Sequence, residues 1–150
     1  MPFSSSSDGR VIVGAMQGGD FNPEHPQLGQ AWYWTEQTGG VYLGLAPDGG
    51  HTSPYYAADV SADGSLIVGN YLAELAGGQW AGRSFIWTEA TGMTAIGQIL
   101  PEHELDDDQW AEQNALRVSS RGDLILLIGV RYDDTPRAAL LRLIPRGLDE

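Results

Sequence analysis

The chain has 150 residues, enough for one domain with its own core, and its 20 acidic against 8 basic residues give a formal charge of -12. That sign repels phosphate backbones and argues against a nucleic-acid partner. Cysteine is absent, which excludes disulfide frameworks, thiolate metal sites and cysteine nucleophiles and leaves the compartment open.

Twenty Gly and eight Pro beside five Trp and six Tyr favour many turns and short aromatic strands, an all-β class. The opening MPFSSSSDGR has neither the basic nor the apolar segment of an export signal, and no run approaches the roughly 18 apolar residues that cross a bilayer. A first, Ser-rich strand is expected from Phe3 to Ser7, joined by Asp8-Gly9 to the apolar run Val11-Ile12-Val13. Asp-Gly between two such segments predicts a type I′ hairpin, in which both central residues take positive φ. AWYWTEQTGGVYLG at 31–44 predicts two more strands.

The same order then returns. YYAADVSA leads through Asp63-Gly64 to LIVG, and SFIWTEATGMTAIG at 84–97 repeats the aromatic hairpin. Asp8-Gly9 and Asp63-Gly64 lie 55 residues apart, Trp34 and Trp87 53 apart, so the difference falls in a loop between repeated structural units. A third passage, NALRVSSRGDLILLIG followed by RAALLRLIP at 137–145, keeps Gly122, carries Arg121 in place of the Asp, and ends before a fourth strand. Asp8, Gly9, Gly14, Trp34, Asp63, Gly64, Gly69, Trp87 and Gly122 are read as structural positions of the repeat, the two Trp packing between units.

One domain over 1–150 is expected, with repeats at about 3–50, 51–100 and 113–145 and a tail at 146–150. The apolar second strands suggest sheets covered on both faces, so each unit reads as a four-stranded antiparallel blade of a β-propeller, the last one incomplete. Three blades do not close alone. A homodimer forming a six-bladed ring, a longer propeller of which this is a part, and an open irregular β-sandwich all satisfy the pattern.

The passages A-x-x-V-S-A-D-G-S-x-I-V-G and S-F-I-W-T-E-x-T-G-M-T-x-I-G resemble the HAF family of bacterial extracellular repeats, and the likeness extends over most of residues 4–145 apart from the long loops. The resemblance implies a propeller-like β architecture and a secreted or cell-surface setting, and it implies no catalytic residue.

Up-and-down blades would gather the long loops at 15–30, 45–55, 70–83 and 98–113 on one acidic face, where binding residues concentrate. His25, His51 and His103 fall there, with Tyr55, Tyr56, Trp80 and Trp110 as candidate ligand contacts, the two Trp as platforms for a sugar or a partner side chain. Glu102, His103, Glu104, Asp106, Asp107 and Asp108 are a candidate Ca²⁺ site by oxygen chemistry, although their spacing matches no EF-hand and equally describes a solvated charge run. No G-x-S-x-G, H-E-x-x-H, Walker A or G-x-G-x-x-G motif is present. The expected function is a non-catalytic binding or structural module that uses this face for a carbohydrate or protein. A polysaccharide-active enzyme, with acids such as Glu102 and Asp106 flanking a glycosidic bond, is the alternative.

Overall fold

A computed structural model describes residues 1–16, 29–47, 54–99 and 110–143, with the backbone alone at Trp110 and Glu112. These residues form three antiparallel sheets, each a meander of sequential strands. The first contains β1 (Pro2–Ser5), β2 (Ile12–Ala15), β3 (Ala31–Thr35) and β4 (Gly39–Tyr42). The second contains β5 (Tyr55–Val60), β6 (Ile67–Leu75), β7 (Gln79–Thr88) and β8 (Gly92–Ala95), followed by the single-turn helix α1 (Ile96–Ile99). The third has β9 (Trp110–Val118), β10 (Leu124–Arg131) and β11 (Pro136–Arg142). The sheets are open, and the middle one is sandwiched: one apolar cluster joins it to the first sheet through Val13, Ala31, Ile67 and Phe85, and another joins it to the third through Val68, Ile86, Ile125 and Leu127.

The repeated Asp-Gly turns are not type I′. Gly9, Gly64 and Gly122 have φ of 70°, 77° and 73°, while the preceding Asp8, Asp63 and Arg121 stay at negative φ. Each Gly N–H donates to the carbonyl of the Ser three residues earlier at 2.9 Å, as in a type I turn with Gly at its fourth position. Side chains enforce this choice. The Ser61 hydroxyl donates to Asp63 Oδ1 at 2.7 Å and accepts the Leu66 N–H at 3.1 Å, while Asp63 also accepts the Ser65 N–H at 3.0 Å. Ser6, Asp8, Arg10 and Val11 repeat the arrangement. In the third turn Arg121 occupies the Asp position, yet the Ser119 hydroxyl finds the same chemistry two residues on, donating to Asp123 at 2.6 Å and accepting the Leu124 N–H at 3.0 Å. A carboxylate two positions further along reaches the same hydroxyl, so the third copy is rewired rather than lost.

A second compensation lies inside the sheets. At Gly14 and Gly69 a Cβ would collide with the Met1 and Tyr56 carbonyls and with the rings of Trp32 and Phe85, the residues paired opposite them. Glycine there lets the facing ring lie across the strand. In the third sheet Leu127 holds the glycine position and pairs with Ala139, which holds the ring position, so bulk moves across the strand pair while the layer stays filled.

Polar contacts tie the units in sequence. The Ser7 N–H donates to the Ala62 carbonyl at 3.3 Å, and the Ala62 N–H donates to the Ser120 carbonyl at 3.0 Å, making a relay through equivalent positions of the three turns. Asp59 on β5 accepts the Ser4 hydroxyl at 2.5 Å from the first sheet and the Val118 N–H at 2.9 Å from the third. Asn70 on β6 pairs with the Ala115 backbone in both directions, its amide donating at 3.0 Å and its oxygen accepting at 2.6 Å.

Two further expectations need correcting. The 70–83 segment is not a loop; β6 and β7 continue through it as one hairpin, paired to Leu75–Gln79 and turned at Gly77 and Gly78 with φ of 87° and 75°. Among the described residues, the apolar second strands are covered on both faces only in the middle sheet, as the next section details. The third sheet shows three strands among the described residues, as expected of an incomplete last unit. The 17–28, 48–53, 100–109 and 144–150 stretches, with His25, His51 and the acids from Glu102 to Asp108, lie outside the described residues.

Candidate functional site

The repeat supplies its own reference for what each position buries. In the middle sheet Ile67 and Phe85 point into the first sheet and are sealed, while Val68 and Ile86 point into the third and are sealed as well. Among the described residues their equivalents at the two ends have no covering sheet. Trp32 of β3 and Tyr42 of β4 stand where Phe85 and Ala95 stand; Ala95 is 2 % exposed, Tyr42 43 %. Leu126 and Leu140 of the third sheet stand where Val68 and Ile86 stand; Ile86 is 6 % exposed, Leu140 64 %. Each end therefore presents an apolar face that the fold uses as an interior face elsewhere.

The first-sheet face is concave. Met1, Pro2, Ile12, Met16, Trp32, Trp34, Gly40 and Tyr42 line a cleft of about 430 Å³ with a mainly apolar wall. Gly40 takes the place of buried Met93, and Tyr42 that of buried Ala95, so volume is carved out beside the rings and added at the rim. The third-sheet face is its chemical opposite: Leu124, Leu126, Ile128 and Leu140 are aliphatic, and Arg117 and Arg142 stand directly across from Leu126 and Leu124.

Charge is unevenly divided as well. Residues 1–99 hold Arg10 and Arg83 against nine acidic side chains, whereas residues 110–143 hold five Arg against four. The carboxylates whose acidity is displaced serve the turns. Hydrogen bonds from the Ser65 backbone, then from the Ser61 and Ser65 hydroxyls, lower Asp63 to a pKa of about 2. Asp8 is lowered by the Arg10 N–H and the Ser6 hydroxyl, and Asp123 chiefly by the Ser119 hydroxyl. Asp133 is held down by Thr135 in the β10–β11 turn. All four are stabilised as anions, the state that closes a turn and the opposite of what a proton donor needs.

The residues singled out from the sequence separate. Tyr55 and Tyr56 are neighbours in a strand and point to opposite faces. Tyr55 is sealed in the core, stacked on Tyr71 with ring centroids 5.4 Å apart, its hydroxyl accepting the Ala46 N–H at 3.3 Å. Tyr56 lines a groove of about 350 Å³ along the first strands of the three sheets, with Phe3, Asn70, Asn114 and Arg117. Its hydroxyl donates to Asn114 at 3.3 Å, and burial pushes the phenol above its ordinary pKa. Trp80 sits on the hairpin extension opposite Glu74, 47 % exposed, about four residues or roughly 13 Å along β6 from the Tyr56 pairing. Trp110 begins β9 opposite Arg131, and its side chain is outside the described atoms. Of the repeat tryptophans, Trp87 packs on Tyr33 across the first and second sheets at 5.2 Å, whereas Trp34 faces outward.

Residues that composition does not flag carry the junctions: Asp59 and Asn70. Gln113 is fully buried with both amide atoms lacking a hydrogen-bond partner, and it shares a cross-strand row with Arg137 on either side of Gly129. Among the described residues no group of three or more His, Asp or Glu is placed to hold a metal ion. Among the described residues no helix is long and apolar enough to cross a membrane. No protein-family model, curated protein or solved structure significantly matches the chain.

Proposed function

We propose that the protein is a non-catalytic structural and binding module of the HAF-repeat type, in which each sheet is a propeller blade and two chains complete a six-bladed ring. One observation carries the reading. Equivalent positions that are sealed in the middle sheet are open at both ends of the array, on faces whose apolar character the surface of a finished monomer does not need. In such a ring the Ser-Asp-Gly turns lie on one rim and the long acidic loops on the other, and the loop rim is the surface proposed for a carbohydrate or protein ligand. The HAF resemblance adds an extracellular setting to the proposal.

The test is the absolute mass of the chain in solution by light scattering coupled to size exclusion. The expected value is twice the 16.2 kDa of one chain, with a melting temperature that rises with protein concentration. A single-chain mass held from micromolar to near-millimolar concentration refutes the ring. Running the measurement with calcium and again with a chelator tests whether the acids at 102–108 take up the ion.

A further inference from the structure

Resting on the ring reading, we propose that the contact between chains is head-to-tail: the aromatic face of the first sheet of one copy docks on the aliphatic, arginine-edged face of the third sheet of another. The two junctions inside the chain are the template. In both, the outward face of one sheet meets the inward face of the next in sequence, so a third junction of the same kind must join the last sheet to a first sheet.

Three features fit this pairing and no other arrangement of the two faces. The turn relay has a direction: each turn's N–H donates to the next turn's carbonyl, which leaves the Ser120 N–H and the Ser7 carbonyl without partners among the described residues. A second copy placed head-to-tail brings that donor to that acceptor, whereas two first sheets or two third sheets facing each other would pair like with like. The glycine packing is directional too. The position of a Cβ on Gly64 is filled by Val11, and Gly122 packs on Leu66 and Ser61, while Gly9 has nothing near it. Leu124, the equivalent of Val11 and Leu66, is the surface that Gly9 of a second copy would meet. Finally, the first-sheet end bears exposed Trp and Tyr rings, and the third-sheet end carries Arg117 and Arg142. Guanidinium groups stack on such rings.

The experiment uses two full-length variants of exposed side chains, Trp34→Lys and Leu140→Glu, each checked for an unchanged circular dichroism spectrum. Head-to-tail docking places one altered face in every contact of either variant alone, so each runs as a single chain. Mixed in equal amounts they recover the two-chain mass, because one contact is then unaltered and the other sets Lys against Glu. If Trp34→Lys dissociates the pair while Leu140→Glu leaves it intact, the first sheets pair with each other and head-to-tail docking is overturned, though assembly through open faces stands. If neither variant alters a two-chain mass, both faces are eliminated as the contact. A wild-type monomer overturns this proposal and the ring together.

Discussion

Asp59 makes the connection between all three sheets, and its removal has a calculable cost. Replacing it with Ala leaves the buried Val118 N–H without its acceptor and releases the Ser4 hydroxyl. A hydrogen bond to a charged group contributes about 1.5–3 kcal/mol, and a part-buried hydroxyl bond about 1 kcal/mol more. The expected loss is therefore about 2–4 kcal/mol, a large share of the roughly 5–15 kcal/mol that holds a domain folded. Urea unfolding measured by tryptophan fluorescence reads it directly, as a lower midpoint with an unchanged slope if the three sheets still unfold together. Ser4→Ala should cost about 1 kcal/mol, and in the double variant that cost should largely vanish, because the bond it removes is already gone. An Asp59→Ala variant within about 0.5 kcal/mol of the wild type, the range of ordinary surface changes, would refute the reasoning, as would Ser4 and Asp59 effects that simply add.

Gly69→Ala puts a methyl group into the Tyr56 carbonyl and the Phe85 ring, and overpacking of this kind should destabilise by about 1–3 kcal/mol in the same unfolding assay. Gln113→Met removes a buried amide with no partner and should raise stability by about 1 kcal/mol; a loss of similar size would show that the amide is bonded after all. Asp63 has a folded pKa of about 2, below the 3.8 of a free Asp, so its contribution is complete above about 3.8 and disappears as pH falls through about 2. Melting curves of wild type and Asp63→Asn should accordingly differ at neutral pH and converge near pH 2, and a gap that stays constant into acid would contradict the turn chemistry.

Strand identity and unit order are legible because the repeat writes them twice: VIVG and LIVG, each preceded by a glycine turn, and YWTE and IWTE, each followed by one. What a strand run such as LILLI does not encode is which of its faces has a neighbour. Leu126 and Val68 are equally apolar, and only the number of units in the array makes one exposed and the other sealed. The β6–β7 hairpin has a local signature, since YLAEL alternates buried and exposed residues with period two and Gly77-Gly78 marks the turn, but its length departs from the blade pattern of the other units. The backbone preference of Asp-Gly alone points to type I′, and it omits the Asp side chain. Its carboxylate is held by the Ser two residues earlier and the N–H two residues later, and those bonds select negative φ. Asp59 and Asn70 carry no local signature, since their partners in the neighbouring sheets lie 45 to 59 residues away.

The relay through Ser7, Ala62 and Ser120 also bears on how such an array lengthens. The middle unit alone receives on its turn carbonyl from one side, gives its turn N–H to the other, and has both sheet faces shaped for a neighbour. A gene duplication confined to that unit would keep both existing junctions and add one new one, between two faces that each already pack against a neighbouring sheet, so growth is modular and its direction is inherited. Duplicating the first or third unit instead would bury Trp34 or Leu140 against a surface never fitted to it, which makes the end units terminators as well as participants.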